Sequence, residues 1–554
     1  MAKYAIGLDY GSLSVRTLLI DIHTGEELAT SIYDYDHQVM ETELPCGVKL
    51  GESWALQHPQ DYLNGLYATI REVITISQVN PKDIVGIGVD FTSCTILPTK
   101  ADGTPLCFLP EFAQNPHAYV KLWKHHAAQP YADQLNQTAE KMEEPWLPLY
   151  GGKISSEWMI PKIMQIVKEA PEVYDACDRI LEAGDWIVWQ LTGVEARSAC
   201  NAGYKGLYHH TNGYPSHDFF KSLDPKMEFV VEEKLSTDIH PLGGCAGTIT
   251  SEVAEKTGLS PDTAVAIGII DAHASVPACK IDGPGTMLMI MGTSTCHMLL
   301  SEKEMGVPGT CGIVKDGILP GYFGYEAGQS CVGDHFSWFV KNCLPASYYE
   351  QANKQGINIH QFLRSKAEKL RVGESGLIAL DWWNGVRSVL MDFDLSGLIV
   401  GMTLLTKPEE IYRALIEATA YGTRQIIEAF ESAGVPVNHL IAAGGIAEKD
   451  PMTMQIYADV CKRPIHISGS PQSGALGSAI FGIAAADPKR TGYDNVHQIA
   501  HKLGKLKDVV YQPILKNSTI YDSLFAEYQQ LHDYFGKDGN QVMKRLKKIK
   551  MQYK

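Results

Sequence analysis

The sequence lacks most of the signatures by which enzymes hold phosphate, nicotinamide or zinc. No G-x-G-x-x-G follows an apolar strand-like run and no H-E-x-x-H occurs, so a simple dinucleotide enzyme and a zinc hydrolase both lose ground. Gly151 to Ser155, "GGKIS", has the end of a Walker A loop but places Ile154 after the lysine, and no glycine lies five residues before Gly152. No two of the 12 cysteines form a C-x-x-C, which speaks for reduced thiols rather than a disulfide framework or zinc site. Positive charge is also scarce: 48 Lys and Arg against 64 Asp and Glu give −16, a poor balance for binding nucleic acid. No apolar run reaches the roughly 18 residues of a transmembrane helix, and the N-terminal residues lack a secretory h-region. No membrane partner and a cytoplasmic location are therefore expected.

What is present is ordinary globular material, 45% hydrophobic and 20% charged over 554 residues, enough for two to four domains at roughly 100–200 residues each. Residues 3–10 and 13–21 read as strands joined through Gly11 and Ser12, a β-hairpin. Residues 59–79 carry helical periodicity, and "DIVGIGVDF" is a buried-strand run ending near Asp90, an alternation typical of α/β domains. Residues 110–160 read as helices and loops covering a cleft. "GYKGLY" at 203–208 reads as an interruption of helix, and residues 263–270 as a buried strand stopping at Asp271. "GTMLMIMGTSTCHMLL" at 285–300 repeats the strand–turn–strand pattern of the N-terminus, which suggests two related halves with a break near "KIDGPG". Helices are expected near 408–433, 451–461 and 473–486, the last built of small residues suited to close packing. The basic "KRLKKIK" near the C-terminus reads as a solvated helix.

Three glycine-rich turns each follow a strand: Asp9 to Ser12, Gly292 to Thr295, and Gly444-Gly445. Such turns can aim backbone N–H groups at an anion, and Asp9 adds an oxygen suited to Mg²⁺. Each taken singly is as readily a structural turn.

These segments carry a resemblance. "GLDYGSLSVRTLLID", "GTSTC" and "AAGGIAEKDPMTMQIYADVCKRPI" are similar to the two phosphate loops and the adenosine segment of the actin-like ATPase superfamily. "DWWNGVRSVLMDFDLSGLIVGMTLLTKPEEIYRALIEATAYG" resembles the C-terminal region of the FGGY carbohydrate kinases. "GIGVDFTSCTILP", "NAGYKGLY", "GIIDAHAS" and "YEAGQSCVGD" are similar to its ribulose-phosphorylating members. The resemblance spans about residues 3 to 490, with the motifs in family order. It implies an α/β fold of two ribonuclease-H-like domains flanking a catalytic cleft. The expected division is 1–275 for the sugar and first phosphate loop, 284–490 for ATP, and 491–554 as a helical extension.

The resemblance also assigns residues. Asp9, Gly11, Ser12 and Arg16 match the first phosphate loop, Gly292, Thr293 and Ser294 the second, and Gly444 and Gly445 the approach to adenosine, where a side chain would clash. Asp9 is the expected metal carboxylate for Mg²⁺ bound with ATP. Asp271 alone reads as a helix N-cap; the resemblance makes it the catalytic base, with a pKa lowered by the helix N-terminus. Ser93, Lys205, Asp271 and Glu326 are the expected sugar contacts; a buried carboxylate at Glu326 without a partner would be costly, which favours a sugar there. Asp90 reads as structural. The implied reaction is ATP-dependent phosphorylation of ribulose, L-ribulose foremost, at its C5 hydroxyl, in L-arabinose catabolism. A kinase for another pentulose such as xylulose, or an actin-like ATPase without kinase activity, are the alternatives. A homodimer is the habit of the family.

Overall fold

A computed structural model describes residues 2–537 and 539–553. The first sheet begins with β1 (Tyr4–Tyr10), β2 (Ser14–Asp21) and β3 (Glu27–Asp34), an antiparallel meander. The β1–β2 turn holds three residues rather than two, because the Gly11 amide closes on the Ser14 carbonyl at 2.9 Å. Helix α1 (Pro59–Ser77) crosses back to β4 (Ile84–Phe91), which lies parallel to β1 as a crossover of this length requires. The strand expected over 263–270 is split into β6 (Ala264–Ala266) and β7 (Ile269–Ile270), both parallel to β4; β5 (Cys245–Thr248) closes the edge. The order is β5-β6-β4-β1-β2-β3.

The second sheet repeats this plan. β8 (Thr286–Met291) and β9 (Thr295–Ser301) form the opening hairpin, and β11 (Phe323–Gln329) pairs with β9, with β10 (Gly312–Lys315) outside it. The long helix α5 (Pro408–Ser432) leads to β12 (His439–Ala443), parallel to β8, then to β13 (Ile465–Ser468). The edge is β14 (Leu506–Tyr511), so the stretch expected as a purely helical extension contributes a strand: its backbone completes the ladder of β13. The echo between residues 3–21 and 285–301 is thus a repeat of topology.

The two halves are joined by α6 (Ser473–Ala485), which lies between β13 and β14 of the second sheet in sequence yet packs on β1 and β4 of the first. Its small residues make this seat possible. A Cβ on Gly88 would lie 1.8 Å from the Ser478 carbonyl oxygen, and one on Gly477 would lie 1.6 Å from that of Ala274. Among the described residues no helix is long and apolar enough to cross a membrane.

Candidate active site

Three carboxylates collect where strands of the first sheet end. Asp9 and Asp90 are register partners on parallel β1 and β4. Asp271 follows β7 as the first residue of α3 (Asp271–Ala278). Asp90 is fully buried and accepts a hydrogen bond from the Ser478 hydroxyl of α6 at 2.6 Å. Burial, then the Asp9 charge, pushes the Asp90 carboxyl well above the ordinary carboxylate range. Asp9 is also raised by burial, against the opposing pull of Asp90 and of Arg16, whose guanidinium lies 3.6 Å away.

Asp271 is not the N-cap; that position is Ile270, and the Asp271 carboxylate takes only the amide of Ala272, at 2.7 Å. The expected lowering of its pKa is also overturned. Burial, reinforced by the Asp9 charge, pushes it up to about 7 and outweighs the local backbone donor. A carboxylate titrating near neutrality at a cavity wall suits a general base.

Lys205 ends α2 (Ala199–Lys205), which runs through Gly203 instead of breaking there. Glycine is needed at 203 for packing: a Cβ would lie 2.4 Å from Val314 of β10. The Lys205 Nζ lies 2.8 Å from Glu326 Oε2 on β11, and both side chains are largely buried, the residues 2% and 9% exposed. Glu326 is therefore not the unpartnered carboxylate that sequence reasoning weighed. Burial alone would raise its pKa, but Lys205 and His273 hold it below the usual range; burial would lower Lys205, but Glu326 keeps it charged. His273, two residues beyond Asp271, lies 3.4 Å from Glu326 and against the Tyr204 ring.

Lys205 and Glu326 line a cavity of about 250 Å³ between the sheets, with Ser12, Ser93, Trp158, Asp271 and Ser294 in its walls; His273, Asp9 and Asp90 lie behind it. Residues 110–160 supply one side of it: Trp123 donates its Nε1 to the Ser12 hydroxyl at 2.9 Å, and the Trp158 ring lies 5.4 Å from the Lys205 ammonium. The buried Lys162 ammonium donates to the carbonyls of Cys94 and Leu122, which ties the Ser93 turn to the Trp123 segment. Sequence reasoning missed Trp123, Glu157, Lys162, His273, Cys296 and Arg387. His273 in "GIIDAHAS", Cys296 in "GTSTC" and Arg387 in "DWWNGVRSV" lie inside segments that carried the resemblance without being singled out; Trp123, Glu157 and Lys162 are brought in by tertiary packing.

The two turns expected to be phosphate loops face each other across this cavity, Ser12 from one and Ser294 from the other. The Gly11 and Gly292 amides are taken by the Ser14 and Ser294 carbonyls, both at 2.9 Å, so these glycines shape the turns rather than donate to a ligand. The second loop is braced by α4 (Gly333–Cys343), whose Gly333 amide reaches the Gly292 carbonyl at 2.9 Å. Gly444 has φ +90°, and a Cβ would lie 2.5 Å from the Met291 carbonyl, so its glycine is dictated by the neighbouring strand; at Gly445 a Cβ would meet open space.

Known proteins resemble this chain along nearly its whole length. Residues 4–277 match the N-terminal domain of the FGGY family of carbohydrate kinases, and residues 287–486 match its C-terminal domain. A ribulokinase of Bacillus licheniformis is 58% identical over 539 residues, covering 97% of this chain and 98% of that one. One from Halalkalibacterium halodurans is 54% identical, covering 99% and 98%, and one from Mycolicibacterium smegmatis 47%, covering 98% and 96%. Among solved structures, gluconate kinase from Lactobacillus acidophilus superposes with a TM-score of 0.80 at 18% identity, covering 97% of this chain and 99% of that one. Xylulose kinase from Rhodospirillum rubrum gives 0.79 at 21%, covering 96% and 98%. At those identities the likeness speaks for the fold alone.

Proposed function

The chain belongs to the FGGY family of carbohydrate kinases, and on that footing we propose that it is a ribulokinase, transferring the γ-phosphoryl of ATP to the C5 hydroxyl of ribulose. L-ribulose is the leading substrate, which places the enzyme in L-arabinose catabolism. The observation that carries the reading is the cavity that brings Asp271, Lys205 and Glu326 together between two opposed phosphate loops.

In this account the neutral sugar is recognised by hydrogen bonds from Ser93, Lys205 and Glu326. The ion pair holds the last two at fixed positions, so little order is lost when they bind hydroxyls. Asp271 accepts a hydrogen bond from the attacking hydroxyl, aligns it, and takes its proton as transfer proceeds; orientation matters more than base strength for a loose phosphoryl transition state. Ser12, Thr293 and Ser294 hold the phosphates from two sides, and the open space at Gly445 admits the adenosine.

The residues around Asp9 fit Mg²⁺ carried with ATP. Asp9 is partly exposed at the cleft, its nearest cation lies beyond hydrogen-bond distance, and Gly474 leaves its carboxylate uncovered on the α6 side. Asp9 would hold the ion or one of its waters, and the ion would supply charge neutralisation for the phosphates. Replacing Asp271 with Ala tests the assignment. Sugar-dependent ADP release should fall at least 10²–10³-fold while binding of a non-hydrolysable ATP analogue persists; unchanged turnover would refute the role.

A further inference from the structure

The cavity contains a second cation that the sugar site does not account for. Arg387 lines it beside Asp271, Ser294, Cys296 and Glu326, and also lines the adjoining larger cavity that holds Thr293 and Ser294 of the second phosphate loop. Its guanidinium makes no side-chain hydrogen bond or ion pair among the described residues; Glu157 and Glu326 act on it only from a distance. Lys205 is committed to Glu326, so Arg387 is the cation in this wall that closes no ion pair among the described residues. Burial disfavours its charge while Glu157 of the same wall and Glu326 favour it without closing a contact, so the donors of the fork are left open and a neutral sugar brings no anion to them.

The segment that carries Arg387 is tightly held. The Ser388 amide donates to the Gly328 carbonyl at 3.0 Å, and its hydroxyl accepts from the Gly328 amide at 3.1 Å. Val386 and Asp392 exchange backbone hydrogen bonds at 2.9 Å. The basic C-terminal segment, expected to be only a solvated helix, is α7 (Val542–Met551) and straps this loop down. Met543 is buried and its sulfur accepts from the Ser396 amide, Lys544 pairs with Asp392 at 2.6 Å, and Lys547 with Asp394 at 2.7 Å. An arginine on a fixed loop, at the junction of the sugar cavity and a phosphate loop, offers the planar fork that suits phosphate oxygens.

We propose that Arg387 is a catalytic residue that binds the transferred phosphoryl group, in the transition state and on the product sugar phosphate. The inference deepens the kinase reading and rests on it. As the bond from the sugar oxygen to the γ-phosphorus forms, the bond from that phosphorus to the bridging oxygen of ADP breaks. The hydroxyl proton passes to Asp271, and charge develops on the equatorial oxygens that Arg387 contacts. The C-terminal helix then acts as the support that fixes Arg387.

The test pairs kinetics with calorimetric binding in the full chain. Arg387→Ala should lower kcat about 10²–10³-fold, leave affinity for the unphosphorylated sugar within about threefold, weaken affinity for the sugar 5-phosphate by at least tenfold, and regain activity with added guanidine hydrochloride at millimolar concentration. Arg387→Lys, which keeps the charge and the packing, should bind sugar normally and remain at least tenfold slow. A kcat within threefold of wild type, an unchanged affinity for the sugar phosphate, or a loss confined to sugar affinity would overturn the assignment. Wild-type turnover separates this from the parent reading: a wild type inert towards every ketopentose removes the ribulokinase reading, whereas an active wild type with an Arg387→Ala variant of full product affinity removes only the role of Arg387.

Discussion

Lys205 and Glu326 lie on opposite sides of the cleft, one on a helix beside the first sheet and one on a strand of the second, yet their charged groups meet at 2.8 Å. The pair links the two halves at the wall of the cavity. Lys205→Met should leave a buried carboxylate without its cation and cost roughly 3–5 kcal/mol, read as a lower urea midpoint. The double variant Lys205→Met/Glu326→Gln should recover part of that loss while remaining unable to bind sugar. Equal destabilisation of single and double variants would show that the two charges are not coupled.

The raised pKa of Asp271 sets a pH profile. The base must be ionised, and its carboxyl titrates at about 7 because burial and Asp9 disfavour the charge. The kcat/KM for sugar should fall about tenfold per pH unit below 7 and level off above it. A limb centred near 4, the ordinary aspartate value, would contradict the described environment.

The same group makes a stability prediction with a definite sign. Below about pH 4 Asp271 is protonated in both the folded and unfolded chain. Between about 4 and 7 the unfolded chain releases its proton while the folded one keeps it, so folded stability is lost through that window and stays lower above 7. Asp271→Asn removes the penalty. Its Tm advantage over wild type should be larger at pH 8 than at pH 5; an advantage that shrinks with rising pH would reverse the assigned shift.

The seat of α6 on the first sheet predicts intolerance to small additions. Gly88→Ala places a methyl group 1.8 Å from the Ser478 carbonyl oxygen, backbone against backbone, where no side chain can move aside. A loss of about 3 kcal/mol or more is expected, with a lower Tm and weaker coupling between the halves. A Tm within about 1 °C of wild type, roughly 1 kcal/mol in a chain this large, would show that α6 does not pack as described.

Much of this was legible in the sequence because it is local. Strand runs, the helix over 451–461 and the strand over 439–443 follow from periodicity, and the structure places them at those bounds. The hairpin echo survives as topology because each sheet needs the same opening meander. What the sequence hid is tertiary. The pKa of Asp271 depends on burial by elements far along the chain and on Asp9. Glu326 finds Lys205 121 positions away. Gly203 looked like a helix breaker because nothing local reveals that Val314 will press against it. Arg387 lies inside the family-like segment "DWWNGVRSV" but was not singled out there, and the helix that braces its loop carries no motif, so only packing shows that they meet at the cleft.

The most direct test of the account is a ketopentose panel. The purified chain, MgATP and either L-ribulose, D-ribulose, L-xylulose or D-xylulose are assayed for ADP release, with the phosphorylated carbon located by NMR. The account predicts the highest kcat/KM for L-ribulose and a phosphate at C5. Negligible turnover of both ribulose enantiomers, or a phosphate at another carbon, would contradict it.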